Sequence, residues 1–268
     1  MLHGGLTPPK AFVCKCPDFS CHLQGARYVI EQILSYESWM AFFKDWTLFA
    51  QAFGVTVMVS VLALLLALAL GVVFGVMSTS HHTLPRFIAR GYVETLQNTP
   101  LVLQAYVFYL ALPYIGVMIG QVSVGIYAVG IYHGAYIAEV VRAGIQSIPK
   151  GQAEAAASQG FTYVQTMRWI ILPQTIKIIL PPLVNQMVNL IKNTSVIALI
   201  GGTDLMNRTN DWATTGECIY GPPFLVCGIL YFILCFPLAT WGRNYEERLK
   251  KRDIQSTDKP ASTGEAAS

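Results

Sequence analysis

Charge is what this sequence is short of. Only 12% of its 268 residues are Asp, Glu, Lys or Arg, about half of what a soluble globular domain carries. It also has no G-x-x-x-x-G-K-[ST] phosphate loop. No C-x-x-C pair occurs among the six cysteines, which removes the commonest zinc spacing. Cys14, Cys16, Cys21, Cys218, Cys227 and Cys235 are expected as free thiols, with a disulfide open if the N-terminal end faces an oxidising side. Residues 1–10 have neither the basic start nor the apolar run of a cleaved signal peptide, and none is expected. No metal-binding or nucleophile constellation is present, so neither a catalytic residue nor a resident cofactor is expected. No nucleic-acid partner is expected either.

What the chain has is apolar length. Hydrophobic residues make up 53% of it and the mean hydropathy is +0.46. Roughly 20 apolar residues of helix cross a bilayer, and the stretches 49–77, 87–112, 122–143, 173–200 and 222–241 are candidates. The expected fold is an all-α polytopic membrane protein with five transmembrane helices, lodged in the cell membrane. Its few charges sort by side. His81, His82, Arg86 and Arg90 follow the first stretch, and Arg142, Lys150, Arg168 and Lys177 surround the link after the third. Arg243, Arg248, Lys250, Lys251 and Arg252 follow the fifth, whereas the other two links are neutral or acidic. Basic loops stay in the cytoplasm, so the C-terminus is expected there and the N-terminus outside. Residues 1–46 then form an extracytoplasmic segment whose aromatics suit the interface. Residues 47–248 form the transmembrane unit, and 249–268 a cytoplasmic tail too poor in apolar residues to fold.

Polar side chains within such stretches are costly and face a partner or a watery path. Asn185, Asn189 and Lys192 recur at i, i+4 and i+7 and share one helix face, flanked by Gln186 and Asn193. Gln97, Asn98 and Gln104 gather around Pro100, beside Glu94. These groups serve either as glue between helices or as donors and acceptors for the two charged ends of an amino acid; the residues leave both open. His133 reads as a packing or hydrogen-bonding residue. Glu139 and Arg142, three apart, could pair and anchor the loop that follows.

That loop, about 149–173, reads PKGQAEAAASQGFTYVQTMRWIILP. It is too long for a plain connection. Pro149 marks a helix start, Gly160 a left-handed helix end, and Thr162 with Gln165 a capping box that opens a second helix. Ala153, Ala155, Ala156 and Ala157 are good helix formers, and their small side chains also let a helix seat in a partner's groove.

Glu154-Ala155-Ala156, three residues, Gly160, nine residues, then Ile170-Ile171-Leu172-Pro173 resembles the EAA loop of ABC importer permeases. AYIAEVVRAGIQSIPKGQAEAA, NTPLVLQ from Asn98, and Lys192-Asn193-Thr194-Ser195 are similar to the polar amino acid type, which transports histidine, glutamine or arginine. The resemblance spans about 47–248 and departs at Gln97, where that family commonly carries Arg. It implies a type I ABC importer permease that binds no cofactor itself, ATP and Mg residing on a partner ATPase. It implies further partners: a second permease, identical or homologous, an extracytoplasmic solute-binding protein, and the amino acid cargo. Glu154, Ala155, Ala156 and Gly160 would form the docking element for the ATPase. Gln97, Asn98, Gln104, Asn185, Asn189, Lys192 and Asn193 are candidates for the substrate pathway. The alternative is an ion-coupled secondary transporter using Glu94, Glu139, His133 and Lys192. Such folds show inverted repeats, which this sequence does not display.

Overall fold

The computed structural model describes residues 36–214 and 221–257, with side chains followed to residue 251. Most of the 1–46 segment, Cys14, Cys16, Cys21, Cys218 and the last part of the tail lie outside the described residues. Among the described residues every regular element is helical. In order they are α1 (Tyr36–Lys44), α2 (Trp46–Ser78), α3 (Thr83–Gln97), α4 (Leu101–Ala111), α5 (Gln121–Gln146), α6 (Lys150–Ser158), α7 (Tyr163–Thr166), α8 (Leu172–Asn193), α9 (Leu205–Thr214) and α10 (Pro222–Thr257).

Among the described residues four helical stretches are long and apolar enough to cross a membrane: Trp46–Ser78, Gln121–Gln146, Tyr163–Ile200 and Pro222–Lys251. The stretch 87–112, expected as one span, is two helices with a break at 98–100. Proline has no N–H to give and pushes the preceding residue out of the helical region, so Pro100 ends α3 and begins α4. Gln104, buried, then bridges the break by donating from Nε2 to the carbonyls of Leu96 and Thr99, both at 3.1 Å. Only the short Leu101–Ile115 part of this stretch is strongly apolar.

The core is the packing of α2 on α5. Without a hydrophobic drive between helices in lipid, close backbone approach and dense van der Waals contact hold them together. On α2, Ala63, Ala67, Gly71 and Gly75 fall at four-residue intervals and are all buried. A Cβ on Gly71 would lie 2.3 Å from Ile137 Cγ2, and one on Gly75 2.6 Å from Val141 Cβ. The opposite face of α2 presents Val61, Leu65 and Val73 outward, as a lipid-facing surface requires. Helix α3 is tied to this pair by the Tyr92 hydroxyl, which donates to the Ile131 carbonyl at 2.7 Å, while its ring stacks on Phe74.

Helix α8 packs against α5 on one side and α10 on the other. It is entered through a five-residue π-helical segment, Met167–Ile171. Pro173 removes one i→i−4 bond and crowds the carbonyl four residues back; a widened turn is a common accommodation. At the far end Phe42, Phe49, Leu205, Trp212 and Cys227 join α1, α2, α9 and α10 in a second apolar cluster. Helix α10 runs to Thr257, so residues 249–257, expected as unfolded tail, are helical. The sequence EERLKKR consists of strong helix formers, and Lys250 pairs with Glu246 one turn back at 2.7 Å.

Candidate functional site

Three features stand out, and they occupy different parts of the chain. The first is an elbow at 150–171. Helix α6 is exposed over almost its whole surface; Ala156 alone is buried. It closes in a Schellman arrangement, with Gly160 N–H donating to Ala157 O at 3.0 Å and Phe161 N–H to Ala156 O at 3.1 Å. Gly160 sits at φ +82°, in the left-handed region where a Cβ is strained. The capping box is present in both directions: Gln165 N–H donates to Thr162 Oγ1 at 3.4 Å, and Thr162 N–H to Gln165 Oε1 at 2.8 Å. Glu154 and Ala155 face outward on α6, and Val164 and Trp169 project beyond the turn with about two-thirds of their surface free.

The second feature is a polar stripe on α8. Asn185, Asn189 and Lys192 are all exposed, on the face turned away from the chain's own core residues Val184 and Leu190. Asn193 turns inward instead, its Nδ2 lying 3.0 Å from His133 Nε2 on α5. Beside this contact the Tyr132 and Tyr136 hydroxyls are 3.0 Å apart. Sequence reasoning missed the two tyrosines, although their i, i+4 spacing around His133 is a readable signal. Toward the N-terminal end of α8 the stripe opens into a groove of about 630 Å³ between α8 and α10, lined by Gln174, Lys177, Pro181, Asn185 and Glu246.

The third is a charged pocket of about 410 Å³ between α3 and α5. Arg142 grips Glu139 with two guanidinium nitrogens, one at 2.8 Å from Nε, and reaches Gln146 Oε1 at 2.7 Å with Nη1. Across the pocket stand Arg86, Arg90, Glu94 and Gln97. The Arg90–Glu94 pair, 3.6 Å apart and largely exposed, contributes little by itself. The rim carries three guanidinium groups against two carboxylates, a setting that suits a ligand bearing an anionic group.

The predicted pathway residues are therefore not gathered at one place. Gln97 lines the pocket and donates to Ala135 O at 3.3 Å, Asn98 donates to Glu94 O at 2.7 Å, and Gln104 is spent on the helix break. None of these contacts involves the α8 stripe.

Comparison with known proteins places these features in context. The family model described as "binding-protein-dependent transport system inner membrane component" matches residues 67–251. The chain is 41% identical over 210 residues to GlnM of Bacillus subtilis, named as a probable glutamine ABC transporter permease, covering 78% of this chain and 96% of that one. It is 36% identical over 168 residues to ArtQ of the same organism, an arginine transport system permease, covering 62% and 76%. A solved amino acid ABC transporter structure, described as containing histidines, superposes with a TM-score of 0.70 at 30% identity, covering 78% of this chain and 97% of that one. The MetNI methionine ABC transporter, at 16% identity and a TM-score of 0.64 over 76% and 97% of the chains, shares the fold. The helical fold, the exposed elbow and these matches together establish that the chain belongs to the family of inner membrane components of binding-protein-dependent, ATP-binding-cassette transport systems.

Proposed function

We propose that this permease passes a polar amino acid into the cytoplasm, driven by a separate ATPase that grips the elbow. The elbow carries the reading. An alanine-rich helix that the described residues leave almost uncovered, fixed at a set angle by a Schellman turn and a capping box, is a handle open to a partner. Small side chains allow an ATPase cleft to approach the backbone of α6, while Glu154 supplies a charged contact and Gly160 aims the helix. Movement of the handle enters the membrane through the π-helical segment and α8.

In this reading the chain crosses the membrane five times, α3 and α4 together forming the broken second crossing. The N-terminus lies outside and the C-terminus inside, in keeping with the basic links. The Asn185–Asn189–Lys192 face is too polar for lipid, so a second permease subunit covers it and the two chains enclose the path. An extracytoplasmic binding protein delivers the cargo. The permeases for glutamine and arginine among its relatives support a polar amino acid as that cargo.

The test is uptake of radiolabelled amino acids by proteoliposomes holding the permease, its ATPase and its binding protein. Uptake should require ATP inside the vesicle and persist when the proton gradient is collapsed. Loss of uptake on collapsing the gradient, with ATP present, would overturn the reading in favour of ion coupling.

A further inference from the structure

The charged pocket between α3 and α5 lies at a boundary on two counts. It sits where spans end: Ser78 is the last residue of α2, Arg142 and Gln146 belong to the end of α5, and α3 begins at Thr83. Around α3 it also divides interior from surface. Ala89 and Val93 are buried. Arg86, Arg90, Glu94 and Gln97 follow on the next face at helical spacing and line the pocket. Leu84, Phe87 and Ile88 lie beyond them, 69%, 72% and 47% exposed. Phe87 is one turn from Arg90, so guanidinium groups adjoin an uncovered apolar surface.

Three guanidinium groups against two carboxylates leave the pocket a net charge of +1. They are not equally committed. Arg142 is spent on Glu139 and Gln146, and Ser78 and Gln97 already donate to the carbonyls of Phe74 and Ala135. Arg90 lies 3.6 Å from Glu94, too far for a hydrogen bond. Arg86 joins no ion pair among the described residues. Arg86 and Arg90 therefore have donors to offer, in the planar fork that suits a phosphate. The single negative charge of a phosphodiester balances the pocket, whereas a phosphate monoester, with nearly two, exceeds it. A volume of about 410 Å³ suits a headgroup.

We propose that this pocket binds an acidic phospholipid, its phosphodiester gripped by Arg86 and Arg90 and its acyl chains lying along Leu84, Phe87 and Ile88. Basic pockets between membrane helices on the cytoplasmic side take anionic headgroups in this way. Placement in the cytoplasmic leaflet rests on the topology proposed above; the site itself does not. Bridging α3 and α5, the lipid braces the first half of the broken second crossing.

The test is native mass spectrometry of the purified full-length chain in detergent, titrated with phosphatidylglycerol or phosphatidylethanolamine. One phosphatidylglycerol should be retained severalfold more tightly than phosphatidylethanolamine. Arg86→Gln and Arg90→Gln should each weaken its binding roughly fivefold. Arg248→Gln and Lys251→Gln, at basic positions on α10, should leave it unchanged. All four side chains are exposed, so the fold should survive each change. Equal retention of the two lipids would overturn the proposal, as would full phosphatidylglycerol binding by the Arg86→Gln, Arg90→Gln double variant. Displacement of the lipid by millimolar inorganic phosphate, arginine or glutamine would overturn it too, making the pocket a site for a soluble ligand. The measurement needs neither the ATPase nor a sealed vesicle, so its outcome is separate from that of the uptake assay.

Discussion

At the scale of single residues, the tightest constraint is a missing side chain. Gly71 lets α2 lie against Ile137 so closely that a Cβ would overlap it at 2.3 Å, while a Cβ on Gly54 would meet nothing within 4 Å. Gly71→Val should therefore lower stability by about 1–3 kcal/mol through overpacking, and Gly54→Ala should not lower it; thermal midpoints in nanodiscs distinguish the two. Asp204 makes the complementary case for charge. Burial raises its pKa to about 6, against a capping contribution from the Met206 and Asn207 N–H groups that lowers it. Between about pH 4 and pH 6 the folded chain thus holds a proton that the unfolded chain, with the ordinary value of 3.8, has released. Stability from this group is full below pH 4 and is lost as pH rises through 6, by about 3 kcal/mol for a shift of this size. The thermal midpoint of the isolated chain should fall between pH 4 and pH 7, and Asp204→Asn should flatten that decline. None of this is visible around residue 204 in the sequence. There Asp204 is one acidic residue in a polar link, and its burial depends on Thr56, 149 positions away.

At the scale of elements, local signals were the legible ones. The end of α6 at Gly160 and the capping box of Thr162 and Gln165 both follow from short-range chemistry, and each has the expected geometry. The same signals supply a test. Gly160→Val forces a β-branched residue to φ +82°, whereas Gly160→Asn keeps a residue that tolerates the left-handed region. No atom crowds the site, so the chain should stay folded and membrane-inserted in both. Substrate-stimulated ATPase activity of the assembled importer should fall severalfold with Val and much less with Asn. Equal activity in the two variants and wild type would show that the angle of α6 does not matter. The second span was less legible. Only the part from Leu101 on is strongly apolar, while 87–98 carries Arg90, Glu94, Gln97 and Asn98, and the chemistry of Pro100, with Gln104 folded back onto Leu96 and Thr99, divides the stretch into two helices.

For the whole molecule, the chain holds a contradiction that another subunit resolves. Helix α8 is fixed between α5 and α10, yet its Asn185, Asn189 and Lys192 are exposed in a membrane-spanning stretch. The periodicity of the three was plain in the sequence. Which way they faced was not, because that depends on the packing of Val184 and Leu190 on the other side. Groups that were glue within this chain would be hydrogen-bonded to it, as Asn193 is to His133; Asn185, Asn189 and Lys192 form no side-chain bond to a neighbouring helix among the described residues. A face that serves only in the assembled importer makes a separable prediction. Asn189→Leu replaces a polar group by an apolar one of similar size on a surface the isolated chain leaves open, so its thermal midpoint should stay within about 1 °C of wild type. Uptake by the complete importer should nevertheless drop severalfold, since a path between two chains would lose a donor and an acceptor. Asn193→Leu should do the reverse at the first step, lowering the midpoint by stranding His133. If Asn189→Leu instead destabilised the isolated chain as much as Asn193→Leu does, the stripe would belong to the packing of this chain and the path would have to run through the charged pocket between α3 and α5.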